Sequence, residues 1–197
     1  MRGSLLSTVL VVAANSTLLA ACSNAAPPPQ EPKTQVSSAP TTAAPSAPAV
    51  EMAAAPYTAA EIRDNWPTGK KVVFRVVEDG KPETVRTVEF VKSDSAGAQI
   101  RMTETDTKGA VIRSGDSTAT WEELRSHGEF PKDKTTVTQR TTVSPMGTLE
   151  CTVYKVEEGE GQVHTYHFAK KFPGPPVLHF VEKGDKRIMT ATMESAK

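Results

Sequence analysis

From Lys71 onward the chain consists of short alternating runs closed by turn residues, and this cadence restricts it to an antiparallel β architecture. KVVFRVV (71–77) is followed by DGKP and then by ETVRTVEFV (83–91). Asp-Gly between two such runs signals a hairpin, because both residues tolerate the positive φ of a tight turn. AQIRMTE (98–104) sets Ala98, Ile100 and Met102 on one face and Gln99, Arg101 and Thr103 on the other, the pattern of a strand with one wet side. AVIRS (110–114) follows a turn at Lys108-Gly109. Further strands are expected at 135–143, 148–156, 163–170, 177–182 and 187–193, separated by SPMG, EGEG, FPGPP and KGDK. Two Thr-x-x-Glu capping boxes are present, one before the first strand and one among the strands. TAAE (58–61) opens a short helix that Pro67 stops, and TWEE (120–123) opens a helical turn that ends at Gly128. The expected fold class is therefore mainly β (α+β): a curved antiparallel meander or partly closed barrel of about nine short strands. A short N-terminal helix and one inserted helical turn would plug an opening or cover a face.

The first 56 residues are of another kind. Residues 5–21 are apolar or small, without charge after Arg2, which is the order of a secretory signal. The polar residues Asn15, Ser16 and Thr17 break the run well short of the ~20 apolar residues of a spanning helix. Residues 23–56 are dominated by Ala, Pro, Ser and Thr with no aromatic residue, so they bury too little apolar surface to offset their ordering entropy. The organisation expected is a cleaved signal peptide over 1–21, a lipidated Cys22 and disordered linker over 22–56, and a single β-rich domain over 57–197. That domain has 21 basic and 21 acidic residues once Arg2, Lys33, Glu31 and Glu51 are set aside, and a neutral balance of this kind marks no nucleic-acid partner.

Leu19, Ala20, Ala21 and Cys22 resemble the lipobox of bacterial lipoproteins, in which a leucine and two small residues precede an invariant cysteine. The resemblance implies cleavage before Cys22, a diacylglyceryl thioether on its sulfur and N-acylation, commonly palmitate, on the freed amine. No other cofactor is expected. The membrane is then a partner through the anchor, because two or three acyl chains give stable attachment where one does not. Ser23, in place of the Asp that commonly marks inner-membrane retention, implies an outer-membrane location facing the periplasm where the host has two membranes. The alternative, a disulfide between Cys22 and Cys151, would tie a floppy stalk to a strand and stabilise little of the fold.

Within the domain no residues form a motif of catalysis. His164 and His167 in HTYH are three apart on an expected strand and point to opposite faces, which denies them a shared metal ion. His164 can instead meet His179 on the next strand. Cys151 alternates with Leu149 and Val153 and reads as a buried small hydrophobe. Glu122 and Glu123 are adjacent on a helix and diverge by about 100°. No nucleophile elbow, phosphate loop or Cys-x-x-Cys is present. The expectation is thus neither a catalytic nor a metal site. KKFPGPPVLHF (170–180) is the most unusual stretch, a rigid loop of three prolines around one glycine that fits a capped sheet edge or a lip over an apolar pocket. If it is a lip, Trp121, Phe168, Phe172 and Phe180 are the candidates to line the pocket, while Trp66 packs the first helix on the sheet.

Anchor, stalk and curved sheet together resemble, in general plan, the half-barrel lipoproteins that hold or pass lipids in the bacterial envelope. That resemblance implies a non-catalytic binding or scaffolding module with an apolar ligand or an envelope protein as partner. A solid core would favour a purely protein-binding structural role, and a convergent His or carboxylate cluster would favour an exported hydrolase whose site is assembled from distant strands.

Overall fold

The computed structural model describes residues 50–197. The segments expected to be signal peptide and lipobox, with Cys22, and most of the expected linker lie outside them. The described chain forms one antiparallel sheet of nine strands with two short helices, as the turn cadence predicts. The strands are β1 (Lys71–Glu78), β2 (Thr84–Ser93), β3 (Gly97–Asp106), β4 (Val111–Thr120), β5 (Thr135–Ser144), β6 (Gly147–Glu158), β7 (Gln162–Ala169), β8 (Leu178–Lys183) and β9 (Lys186–Ala196). Their spatial order, β4-β3-β2-β1-β9-β8-β7-β6-β5, is two meanders that fan in opposite directions from the central β1–β9 pair. The edges β4 and β5 do not pair, so the sheet remains open.

Helix α1 (Ala59–Asn65) and helix α2 (Trp121–Ser126) begin as their sequences require. Thr58 accepts from the Glu61 amide at 3.2 Å while Glu61 accepts from the Thr58 amide at 2.8 Å. Thr120 and Glu123 repeat the arrangement at 3.2 and 2.7 Å. Each box satisfies amides that would otherwise be orphaned at a helix start, a contribution of about 1 kcal/mol. At the first hairpin Gly80 takes φ 71°, the conformation that an Asp-Gly turn favours.

Register determines what faces the helices. Val72, Phe74 and Val76 on β1 stand opposite Val88, Arg86 and Thr84 on β2, and Phe74 stands opposite Met193 on β9. Phe90 and Val88 stand opposite Ile100 and Met102 on β3. This inner face carries most of the core, with Val72 and Met193 wholly buried. Met102 shares the face but lies half exposed, beyond the cover of the helices. On β6 and β7 both faces are buried: Tyr154, Val156 and Phe168 on the inner one, Leu149, Cys151, Val153 and Ala169 on the other. A hydrogen bond from Thr142 on β5 reaches over β6 to His167 Nδ1 at 2.7 Å, which shows how sharply this half curls.

Packing begins before Tyr57, within the stretch whose composition reads as linker. Met52 bridges to Pro131, the Ala53 amide donates to Phe130 O at 2.8 Å, and Ala53 is buried. Tyr154 Oη donates to Ala54 O, and Tyr57 Oη donates to Ala169 O at 2.7 Å. Buried tyrosine hydroxyls need such partners, and these two strap residues 51–57 across the sheet.

A candidate binding cavity under the helices

Between the inner face and the helices lies a cavity of about 230 Å³. The sheet contributes Val88 and Phe90 from β2, Ile100 from β3, and Tyr166 and Phe168 from β7. Tyr57, Ile62 and Trp66 come from the α1 region, and Leu124, Arg125, His127 and Gly128 from α2 and its exit. Gly174, Pro175 and Pro176 close one side. The Pro-rich loop therefore serves as a lip over an apolar pocket, the second of the two roles its sequence allows. At ~30 Å³ per water-sized group the cavity holds roughly eight of them, a single alkyl chain or one large side chain rather than a whole two-chain lipid.

Trp66 fixes this geometry. Its indole is fully buried, stacks on Phe90 with ring centroids 5.1 Å apart, and lies under the Lys70 ammonium at 4.6 Å. Its Nε1–H donates to the Pro173 carbonyl, which ties the lip to α1. Gly174 lies against the ring at φ 126°, where a Cβ would stand 2.5 Å from Nε1. Only glycine fits such an approach.

Of the four candidate wall residues, the structure brings Phe168 to the cavity. Trp121 is buried and donates from Nε1 to Asp94 O at 2.8 Å, outside the wall. Phe172 packs half-buried at the margin of the core under Lys171. Phe180, opposite Thr165, projects from the other face of the sheet with the Arg187 guanidinium 3.7 Å above its ring. Trp66 does pack α1 on the sheet, as read, and lines the cavity as well. Tyr57, Ile62, Phe90, Ile100 and Tyr166 are wall residues that the sequence pattern does not single out. The inward phase of β2 and β3 was the available signal for Phe90 and Ile100.

The histidines divide as their spacing requires. His164 Nδ1 lies 3.3 Å from His179 Nε2 and 3.2 Å from Tyr166 Oη on the inner face. Tyr166 stacks on His179 with centroids 4.2 Å apart. Burial, then His164 and Arg86, push His179 down to about 4, so it is neutral near pH 7. Burial, with Glu158, pushes the Tyr166 hydroxyl up to about 12. Among the described residues no three His, Cys, Asp or Glu side chains are grouped to hold a metal ion.

On the other face Thr142 and His167 form a hydroxyl–imidazole pair. Burial and the nearby Arg140 and Arg187 lower the His167 pKa, and among the described residues no carboxylate orients the ring. Thr142 is buried and the pair lies outside the cavity under the helices, so it has the partner of a nucleophile without the access of one. Cys151 is buried with no disulfide partner among the described residues, and burial raises its thiol pKa, opposite to what a reactive cysteine needs.

No family model matches the chain, and no curated protein matches it. Among solved structures it is similar to a chain of the MucA/MucB complex of Pseudomonas aeruginosa, at 9% identity and a TM-score of 0.47. The match covers 65% of this chain and spans half the length of that one. A likeness so distant transfers neither partner nor function.

Proposed function

We propose that the protein is a membrane-anchored envelope lipoprotein whose β domain is non-catalytic and takes an apolar group into the cavity beneath α1 and α2. The observation that carries the binding role is the cavity itself: an aromatic and aliphatic chamber held open by a buried tryptophan and roofed by a rigid proline loop. Leu19, Ala20, Ala21 and Cys22 support the anchor, with a diacylglyceryl group on the sulfur and an acyl group on the amine of Cys22. The following Ala/Pro/Ser/Thr segment would let the domain reach a partner away from the membrane surface. The proposed location is the cell envelope, on the periplasmic face of the outer membrane in a two-membrane host.

Two readouts on one preparation test this reading. Intact mass of detergent-extracted protein is expected to show the chain starting at Cys22 with the added mass of a diacylglyceryl group, and a start elsewhere without modification overturns the anchor. Decanol titrated against the protein below its solubility limit is expected to bind, and Val88→Trp, which fills the cavity from the sheet side, is expected to abolish binding. Equal binding by the variant overturns the cavity as the site.

A further inference from the structure

Building on the cavity reading above, we infer that the site accepts an anionic amphiphile, whose tail occupies the cavity and whose phosphate or carboxylate headgroup is held by Arg86. The face that lines the cavity changes character in one direction. On β2 the inward residues run Phe90, Val88, Arg86, and on β7 they run Phe168, Tyr166, His164. The first two of each trio are cavity walls. Four antiparallel pairings separate β2 from β7, so the strands run the same way and the polar members stand at the same end. Arg86 follows Val88 by two residues, about 7 Å along the strand. A chain lying in the cavity therefore reaches the guanidinium with its first polar atoms.

The polar end has donors to spare. Among the described residues two buried side-chain nitrogens lack a hydrogen-bond partner, Arg86 Nε and His164 Nε2, and both belong to this end. Buried N–H groups are seldom left this way, and the oxygens of an anion would satisfy them. With its proton on Nε2, His164 leaves Nδ1 to accept from Tyr166 Oη or His179 Nε2. The nearest carboxylate to Nε2 is that of Glu158 at 3.4 Å, within ion-pair range but short of a good hydrogen bond, on a half-exposed side chain free to turn into solvent.

Charge points the same way. The Glu104 carboxylate accepts from Thr84 at 2.9 Å and from Arg113 Nε at 2.5 Å, while Arg86 Nη2 stands 4.0 Å from it. Two guanidinium groups thus face one carboxylate that Arg113 already engages. The surplus positive charge belongs to Arg86, and it is felt as far as His179, whose protonation it opposes. Arg86 is one-third exposed, open enough to receive a headgroup and sheltered enough to hold it above bulk screening.

The test compares decanol, decanoate and decyl phosphate on the purified full chain, with inorganic phosphate as a competitor. Decyl phosphate, decanoate or both are expected to bind at least tenfold more tightly than decanol, the scale of a charge-assisted hydrogen bond. Whichever head is preferred identifies the source chemistry. Arg86→Gln is expected to erase that preference and leave decanol binding unchanged, Arg86→Lys to retain part of it, and inorganic phosphate to weaken decyl phosphate but not decanol. Arg101→Gln, a guanidinium on the opposite face paired to Asp116, is expected to change nothing. Decanol binding with no anionic preference, or equal loss for all three probes in Arg86→Gln, overturns the headgroup inference and leaves the cavity reading intact. Failure of all three probes on the unmodified chain overturns the cavity reading itself.

Discussion

Replacing Gly174 by Ala tests how the cavity roof is held. The residue sits at φ 126°, outside the range that L side chains favour, which costs of order 1–3 kcal/mol for any Cβ. The added carbon also stands 2.5 Å from Trp66 Nε1 and 3.2 Å from Cε2. Phe90 stacks on one side and the Lys70 ammonium covers the ring, so the way left for the indole to retreat is toward the cavity. Relieving the contact means breaking the hydrogen bond from Trp66 to Pro173, which leaves a buried N–H unpaired at about 1–3 kcal/mol. The expected loss is about 3–5 kcal/mol, a large share of the total stability of an ordinary domain. Gly80→Ala is the control, because Gly80 also has positive φ (71°) but no atom within 4 Å of its would-be Cβ. It should cost about 1 kcal/mol, the strain alone. Urea unfolding followed by tryptophan fluorescence gives both values. A Gly174→Ala loss no larger than that of Gly80→Ala would refute the claim that Gly174 and Trp66 are locked together.

His179 should make the domain less stable in acid. Its folded pKa of about 4 lies below the unfolded value near 6.5, so the unfolded chain takes up the proton first as pH falls. The stability is present above pH 6.5, is lost progressively down to about pH 4, and amounts to about 3 kcal/mol at most. Urea midpoints across that window should fall for the parent chain and fall less for His179→Gln, and parallel slopes would contradict the assignment. Cys151 should resist an aromatic disulfide reagent in native buffer and react promptly in urea. Fast native labelling would mean that the buried face of β6 opens.

The parts of the fold written in local chemistry were legible from the residues. The Asp79-Gly80 hairpin, the two Thr-x-x-Glu helix starts and the alternation of 98–102 each follow from chain geometry within a few residues, and each stands where it was expected. β4 was legible only in its first half. After Ile112 the sequence RSGDSTAT has no apolar alternation, and nearly every residue is exposed; pairing with β3 rather than burial makes it a strand. The central pairing of β1 with β9 joins residues more than a hundred positions apart, and no local signal announces it.

The site was legible in a different proportion. The proline loop stood out, but its alternatives, edge or lip, turned on which face Trp66 and Phe168 shared. Phe180 differs from Phe168 by the phase of one strand across a turn, and the irregular FPGPP connection hides that phase. The donors at Arg86 and His164 were invisible for a similar reason. Each is an ordinary inward residue of its own strand, and only the order of the strands shows that they stand at the same end of the sheet's inner face, beyond the cavity walls.

The measurement that bears most directly on the cavity is the amide and indole NMR spectrum of the protein titrated with decanol. The chain has two tryptophans, of which Trp66 lines the cavity and Trp121 does not, so its two indole N–H resonances report inside and outside of the site. Saturable movement of the Trp66 resonance, with Trp121 left in place, is the predicted result. A Trp66 resonance that stays fixed at saturating decanol, or a response confined to Trp121, would contradict the assignment of this chamber as a binding site.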